Sequence, residues 1–418
     1  MPRLLLVAPE TSYRIAPYLS AARGMGLDVW LAAHGPALPT RVRCFQGIHI
    51  NLHDPDNAVT SILSAVGERG LSGVVATDDA TAEVAARVAH AFDLPHNPPS
   101  AVLCTRRKDL ARARLHAAGL PIPAHRAIDL NNPLRPQLAG QHYPCVVKPV
   151  ALAGSVGVIR ADSEVELLEA CARVQAMLNK VAAYEERSTL LIEDYIPGEE
   201  IAMEAILHRG ELTLLAIFDK PDPLEGPYFE ETYYVTPTRL APDVQAHIAK
   251  RVAQACAAYE LTEGPVHAEL RLHAGEAWIL EVASRTIGGQ CARLLSYGTG
   301  STLEEMVIAQ AMGNPLKPRQ SDHARGVLMI PTLKAGILRR VEGVMAARRV
   351  PYIEDLEISL REGSRLVPLP EGNRYLGFIF ARAPNPAQAE AALRDAYACL
   401  NIVIAPMFEL TDVRAKPP

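Results

Sequence analysis

Lysine is nearly missing from this chain. Of its 42 basic side chains, 34 are Arg and only 8 are Lys: Lys108, Lys148, Lys180, Lys220, Lys250, Lys317, Lys334 and Lys416. A coding bias that exchanges Lys for Arg on the surface gives this pattern. It also makes a retained Lys a marker for a place where a guanidinium does not serve. A basic excess is missing as well: 47 acidic residues leave a formal charge of −5, which disfavours nucleic acid as a main partner. The seven cysteines (44, 104, 145, 171, 256, 291 and 399) are odd in number, scattered and never spaced Cys-x-x-Cys. They read as reduced thiols and exclude a disulfide frame or a zinc site. No apolar run approaches the roughly 18 residues of a membrane span, and the apolar stretch in MPRLLLVAPE is too short for a signal peptide. A soluble, cytoplasmic protein with no membrane partner is expected. Gly-x-Gly-x-x-Gly is absent too. The first apolar run is followed by APETSY, and Gly24 and Gly26 lie at a helix end, so a dinucleotide site is rejected there.

What is present is ordinary globular composition, 49% hydrophobic and 21% charged, which excludes wholesale disorder. At about 150 residues per domain the length predicts about three domains. Apolar runs at 3–8, 28–33 and 71–76 predict strands. Helical periodicity over 13–24 and 81–92, the latter capped by Asp78 or Asp79, alternates with them. This is a doubly wound α/β unit to about residue 95, closed by PHNPPS (95–100). Beyond it the pattern predicts a basic helix over 101–119, a strand at 143–149 and a small-residue loop at 151–157. A capping box, Ser163 with Glu166, opens a helix to about 180. A strand at 189–196 follows, then a hairpin at 201–218 about Arg209-Gly210, a Pro-rich loop at 221–227 and a helix at 242–260. A second hairpin covers 266–282, and mixed strand and helix follow after about 318. No internal repeat is visible.

The second hairpin carries the sharpest chemistry. In VHAELRL, His267, Glu269 and Arg271 share one strand face and Ala268, Leu270 and Leu272 the other. In AWILEV, Glu281 faces away from Trp278, Leu280 and Val282. A turn centred on Gly275 sets Glu269 directly across from Glu281, with Cβ atoms about 5 Å apart. Two carboxylates so placed share a proton or a cation, and an all-oxygen pair suits Mg2+ with phosphates completing its shell. A register off by one or two residues makes them separate surface acids instead. Lys148 ends the strand Val146-Val147-Lys148-Pro149, and Ala153-Gly154-Ser155-Val156-Gly157-Val158 follows. An ammonium and the N–H groups of a flexible loop suit phosphate oxygens. The loop is no Walker motif, and an edge Lys before a plain turn reads the same way. Glu193-Asp194-Tyr195-Ile196-Pro197-Gly198-Glu199-Glu200 offers groups for adenine and ribose, or is a solvated charged turn. Arg285, four residues after Glu281, sets a guanidinium beside the metal for a carboxylate or an oxyanion. Gly288 and Gly289 let backbone approach a ligand. A surface Arg in a loop is the alternative.

In order and spacing, Lys108, Lys148, the small-residue loop, Glu193 to Glu200, Glu269, Glu281 and Arg285 resemble the ATP-grasp superfamily over about 95–310. ARGVLMIPTLKAGILRRVEGV, VPLPEGNRYLGFIFARA and IFDKPDPLEGPYFEETYYVTPTRL (217–240) look like the L-amino acid ligases, which join two amino acids into a dipeptide. The resemblance implies an α/β fold, α+β in part. Its units are an N-terminal doubly wound domain (1–95), an ATP-grasp region (96–315, with a mobile small lobe at about 120–200) and a C-terminal ligase domain (316–418). It implies ATP, Mg2+ as one or two ions with Mn2+ as a substitute, amino acids as substrates, and a homodimer as one open arrangement. By position, Lys108 and Lys148 would bind ATP phosphates beneath Ser155, Val156, Gly157 and Val158. Glu193, Asp194, Tyr195, Ile196 and Glu200 would hold adenine and ribose. Lys220 would join the ATP-binding set or line the substrate side. Glu269 and Glu281 would bind Mg2+. Arg285, with Lys148, would act in catalysis, and Arg285, His267, Gly288 and Gly289 would face the substrate. The family pattern Glu-x-Asn-x-Arg is here Glu281-Val-Ala283-Ser-Arg285. Ala283 cannot ligate, so the number of metal ions is open. The activity implied is an ATP-dependent carboxylate–amine ligase forming a C–N bond through an acyl phosphate. An ATP-grasp ligase of the purine-biosynthesis or biotin-carboxylase kind, and a nucleotide-binding protein without catalysis, stand as alternatives.

Overall fold

The computed structural model describes residues 1–34, 45–181, 186–297, 300–318 and 322–407, so Cys44 and Lys416 lie outside the described residues. The chain begins with a parallel sheet ordered Gln46–Ile50, Asp28–His34, Arg3–Pro9, Gly73–Ala76. Helices Ile15–Gly24, Pro55–Val66 and Asp79–Ala91 pack around it. Leu4 to Ala8 are fully buried because both sheet faces are covered, which is why that strand is a continuous apolar run without alternation. The strand Gln46–Ile50 and the helix Pro55–Val66 were not expected. QGIHI is short and half polar, and the helix announces itself only by Asp54, whose carboxylate accepts from Asn57 N, and by Pro55 at its first position. Pro9, His34, Asp78 and Asp79, at the C-terminal ends of their strands, open onto the cleft described below. Open α/β sheets place ligands at that edge.

A second, antiparallel sheet is ordered His125–Asp129, Thr189–Asp194, Cys145–Pro149, Ile159–Ala161 and is covered by the helix Glu164–Val181. The basic helix expected over 101–119 is two helices, Pro99–Arg106 and Lys108–Ala117. Arg107 is extended between them (φ −99°, ψ 101°). The break frees the Lys108 N–H to donate to Val150 O at 2.8 Å, which ties the start of the second helix to the loop after Lys148.

An eight-stranded antiparallel sheet carries most of the site. Its order is Glu276–Ala283, Gly264–His273, Glu199–His208, Glu211–Asp219, Tyr233–Thr236, Ala324–Ile330, Gly377–Ala383, Ile353–Ile358. The sheet runs unbroken past the expected boundary near 315, because Tyr233–Thr236 pairs with Ala324–Ile330. Arg365–Leu366, Gly336–Glu342 and Asn401–Ala405 form a separate small sheet, and the helix Pro386–Ala398 packs on Ala324–Ile330 and Gly377–Ala383. Among the described residues no helix is long and apolar enough to cross a membrane.

The hairpin at 264–283 differs from expectation in one instructive way. Its turn is two left-handed residues, Ala274 (φ 53°) and Gly275 (φ 78°), not a turn centred on Gly275 alone. Leu272 therefore pairs with Ala277 and Leu270 with Ile279, one residue away from the expected register. A β-bulge then inserts a residue, and beyond it Glu269 pairs with Glu281 as expected. The bulge also breaks the expected facing of AWILEV. Ala277, Ile279 and Val282 face the core, while Leu280 and Glu281 both line the cleft.

Candidate active site

The three sheets surround a cleft of about 980 Å³, at the upper end of the range for small-molecule sites. Of the residues singled out from sequence, Lys108, Lys148, Ser155, Val158, Glu193, Asp194, Tyr195, Ile196, Glu200, His267, Glu269, Glu281, Arg285, Gly288 and Gly289 line it. Three do not. The Lys220 side chain lies behind the wall, and Val156 and Gly157 turn away from it. Gly157 (φ 72°) packs on Pro149 and Val174 and donates its N–H to Pro370 O at 2.9 Å.

At one end a buried charge chain fixes Lys148. Glu193 is 1% exposed, and its two oxygens take Arg112 Nε at 2.5 Å and Lys148 Nζ at 2.6 Å. Burial pushes this carboxyl up, but the Arg112 guanidinium and then the Lys148 ammonium outweigh burial and hold it at about 2. Glu193 is thus ionised and committed within the protein. Arg112 also donates to Leu280 O at 2.7 Å, which ties the charge chain to the bulge. Lys108 Nζ donates to Leu152 O at 2.9 Å and lies 3.5 Å from Glu281 Oε2. In the adjoining segment the Tyr195 N–H donates to Pro144 O and the Ile196 carbonyl accepts from Arg271.

The centre of the cleft is acidic. Glu269 and Glu281 sit on neighbouring strands, with side-chain exposures of 23% and 26%. Burial pushes Glu281 up, and Lys108, Arg285 and Lys148 more than reverse this, so its carboxyl stays below the usual range and ionised. Glu200, Glu231 and Glu269 bring three carboxylate oxygens close enough to hold a cation. The cation there is the Lys220 ammonium, 2.9 Å from Glu200, 2.5 Å from Glu231 and 3.5 Å from Glu269. The second oxygen of Glu200 takes Arg271 Nε at 2.9 Å, so both are engaged. Burial pushes Glu231 up to about 7, Lys220 opposes this, and Glu269 adds to it. The three-carboxylate cluster therefore already holds an ammonium, whereas Glu269 and Glu281 each keep part of their side chain open to the cleft.

At the far end His267 lies 3.4 Å from both Glu204 and Glu269. Arg285 Nε is 2.7 Å from Asp79 Oδ2, and burial of its charge is more than offset by Asp79 and by Glu281 and Glu269. Sequence reasoning missed Arg112, Glu204, Glu231 and Asp79 as site residues. Arg112 carried a signal, since it lies one turn after Lys108. Glu204 and Asp79 depend on contacts between distant segments, and Glu231 on a loop that returns to Lys220.

A model of the ATP-grasp domain matches residues 141–293, and a model of the L-amino acid ligase C-terminal domain 2 matches residues 329–405. Over these two segments the chain is similar to the ATP-grasp domain and to the C-terminal domain of the L-amino acid ligases. It is 24% identical to an uncharacterised protein of Sinorhizobium fredii over 100% of this chain and 86% of that protein. It is 26% identical to human carnosine synthase 1 over 89% of this chain, but spans only 47% of that longer protein. The L-amino acid ligase of Bacillus licheniformis shares the fold, with a TM-score of 0.80 at 24% identity over 97% of this chain and 99% of that one.

Proposed function

We propose that the protein is a cytoplasmic, ATP-dependent ligase that joins two amino acids through an acyl phosphate. One observation carries this reading. The ionised Glu281 and its cross-strand partner Glu269 lie between two lysines at one end of the cleft and Arg285 at the other. That is the charge order needed to hold a polyphosphate beside a reacting carboxylate. The units expected at 1–95, 96–315 and 316–418 would act together, since each contributes side chains to the cleft.

Adenine and ribose would lie along Asp194 to Ile196, over the apolar face of Leu280. Lys148, immobilised by Glu193, and Lys108 would take the phosphates, with the Ser155 to Val158 loop covering them. The two carboxylates offer hard oxygen ligands suited to Mg2+. Bound there, the metal would neutralise phosphate charge and orient the γ-phosphoryl group. The γ-phosphoryl group passes to the carboxylate of the first amino acid, and ADP leaves. The amine of the second attacks the carbonyl, and Arg285 stabilises the oxyanion. The C–N bond forms as the C–O bond to phosphate breaks, and the amine gives up its proton. His267, Gly288 and Gly289 would face the amino acids. Ala283 offers no ligand, so a second ion would depend on Glu281 and water.

Phosphate release from ATP over pairs drawn from the 20 amino acids tests the reading. Release that requires two amino acids, with an equal yield of dipeptide, supports it. Release dependent on bicarbonate or a ribonucleotide overturns it in favour of a carboxylase or purine-pathway ligase. ATP binding with no ADP over the whole panel overturns catalysis itself.

A further inference from the structure

The first α/β unit reaches into the site at one point the sequence did not reveal. Asp79, the first residue of the helix Asp79–Ala91, places its carboxylate 2.7 Å from Arg285 Nε. Arg285 Nη1 donates to Thr286 O at 3.0 Å, and no described residue accepts from Nη2. Two of the three donor groups of the guanidinium are thus tethered, and the third is left for a ligand. The neighbouring Asp78 acts on the same loop through a second arginine. Its Oδ1 is 2.7 Å from Arg14 Nη1, and Arg14 Nη2 donates to Thr286 O at 3.4 Å and Ile287 O at 3.2 Å. The Ile287 N–H is held from below by Glu204 at 3.1 Å. Two consecutive aspartates therefore grip the loop twice, once by side chain and once by backbone.

The tether has a job because Arg285 has a competing attraction. Glu281 and Glu269 also draw its positive charge. Without a counter-ion on the opposite side, the guanidinium would fold onto the carboxylates assigned to the metal.

We propose that Asp79 is a positioning residue of this ligase, supplied by the first domain, that holds Arg285 off the metal carboxylates with Nη2 facing the transferring acyl phosphate. The Asp78–Arg14 pair fixes the backbone beneath it. The inference rests on the reading of Arg285 as the group that binds acyl phosphate and oxyanion.

The test compares Asp79→Asn, Asp79→Glu, Arg285→Ala and the Asp79→Asn/Arg285→Ala double variant in the full chain. A misplaced catalytic group costs up to about 100-fold, so Asp79→Asn should lower kcat about 10- to 100-fold. KM for ATP should stay within about twofold, as expected for an interaction made only in the transition state. Asp79→Glu should recover most of the loss. In the Arg285→Ala background, Asp79→Asn should cost no more than about twofold, because the two residues act as one unit. A fully additive double variant, an unchanged kcat in Asp79→Asn, or no recovery in Asp79→Glu would overturn the proposal. If the wild type gives no amino-acid-dependent phosphate release, the ligase reading fails separately. A crystal structure of Asp79→Asn with ADP then decides the positioning role alone: a guanidinium turned toward Glu281 supports it, and one that has not moved overturns it.

Discussion

Single charges decide this site, and their burial decides how much each is worth. Lys148 and Glu281 illustrate the two cases. Lys148 is fixed by a buried partner, while Glu281 is ionised yet turned to the cleft. Each is assigned a role in handling phosphate charge, so Lys148→Ala and Glu281→Gln should each lower kcat/KM by about 1000-fold or more. Near-wild-type phosphate release in either variant would remove that residue from the mechanism. Glu193 gives a prediction about stability. Its carboxyl is held at about 2, below the ordinary 4.5. The stabilisation it brings is complete above about pH 4.5 and is lost as pH falls toward 2. Glu193→Gln should flatten the acid side of the stability–pH profile in that window. It should also lower stability at neutral pH by about 3–5 kcal/mol, because Arg112 is left buried and Lys148 loses its anion. Urea melts from pH 2 to 7 read both effects. The residue types at these positions were legible from sequence. Their commitments were not: an acidic strand end looks the same whether its carboxylate meets a ribose or, like Glu193, two basic side chains of its own protein.

At the scale of the element, the hairpin at 264–283 shows how a local pattern can be right through compensating departures. Alternation in VHAELRL is a local property of a strand, and it placed His267, Glu269 and Arg271 on the cleft side, where they are. The pairing of Glu269 with Glu281 depended on a turn centre that is off by half a residue and a bulge that restores the register. No periodicity announces a single inserted residue. The bulge opposes two residues to one, so Leu280 and Glu281 both face the cleft and one strand supplies an apolar floor beside a carboxylate. Leu280→Ala should therefore separate binding from chemistry. Losing part of an apolar contact worth about 1 kcal/mol should raise KM for ATP about fivefold with kcat nearly unchanged. Initial-rate kinetics at saturating amino acids check this. An equal fall in kcat would instead mean that the side chain supports Glu281.

For the molecule as a whole, the cleft is a meeting of segments that sequence reading cannot bring together. Asp79 and Arg285 are 206 positions apart, and Glu204 and Ile287 are 83 apart. The C-terminal part adds another such contact. Arg173, on the helix Glu164–Val181 that covers the second sheet, makes a two-pronged pair with Glu371 at 2.6 and 2.9 Å, and Pro370 O accepts the Gly157 N–H. Gly154, in the same loop, lies beside Asn373. These contacts join the lobe expected to move to the segment at 370–373 and tie down the loop that follows Lys148, the end of the cleft proposed to take the phosphates. The ion pair is about 40% exposed on both sides, so it contributes about 0.2–1 kcal/mol, enough to change the closed population by up to about fivefold. Closure matters most while an acyl phosphate is present, since water admitted then hydrolyses it. Glu371→Ala should therefore leave the fold and the ATP site intact and act on coupling. ADP formed per dipeptide should rise above one in the variant while remaining near one in the wild type. Measuring both products in the same reaction checks this, and a ratio unchanged by Glu371→Ala would mean that the lobe closes without the C-terminal contact.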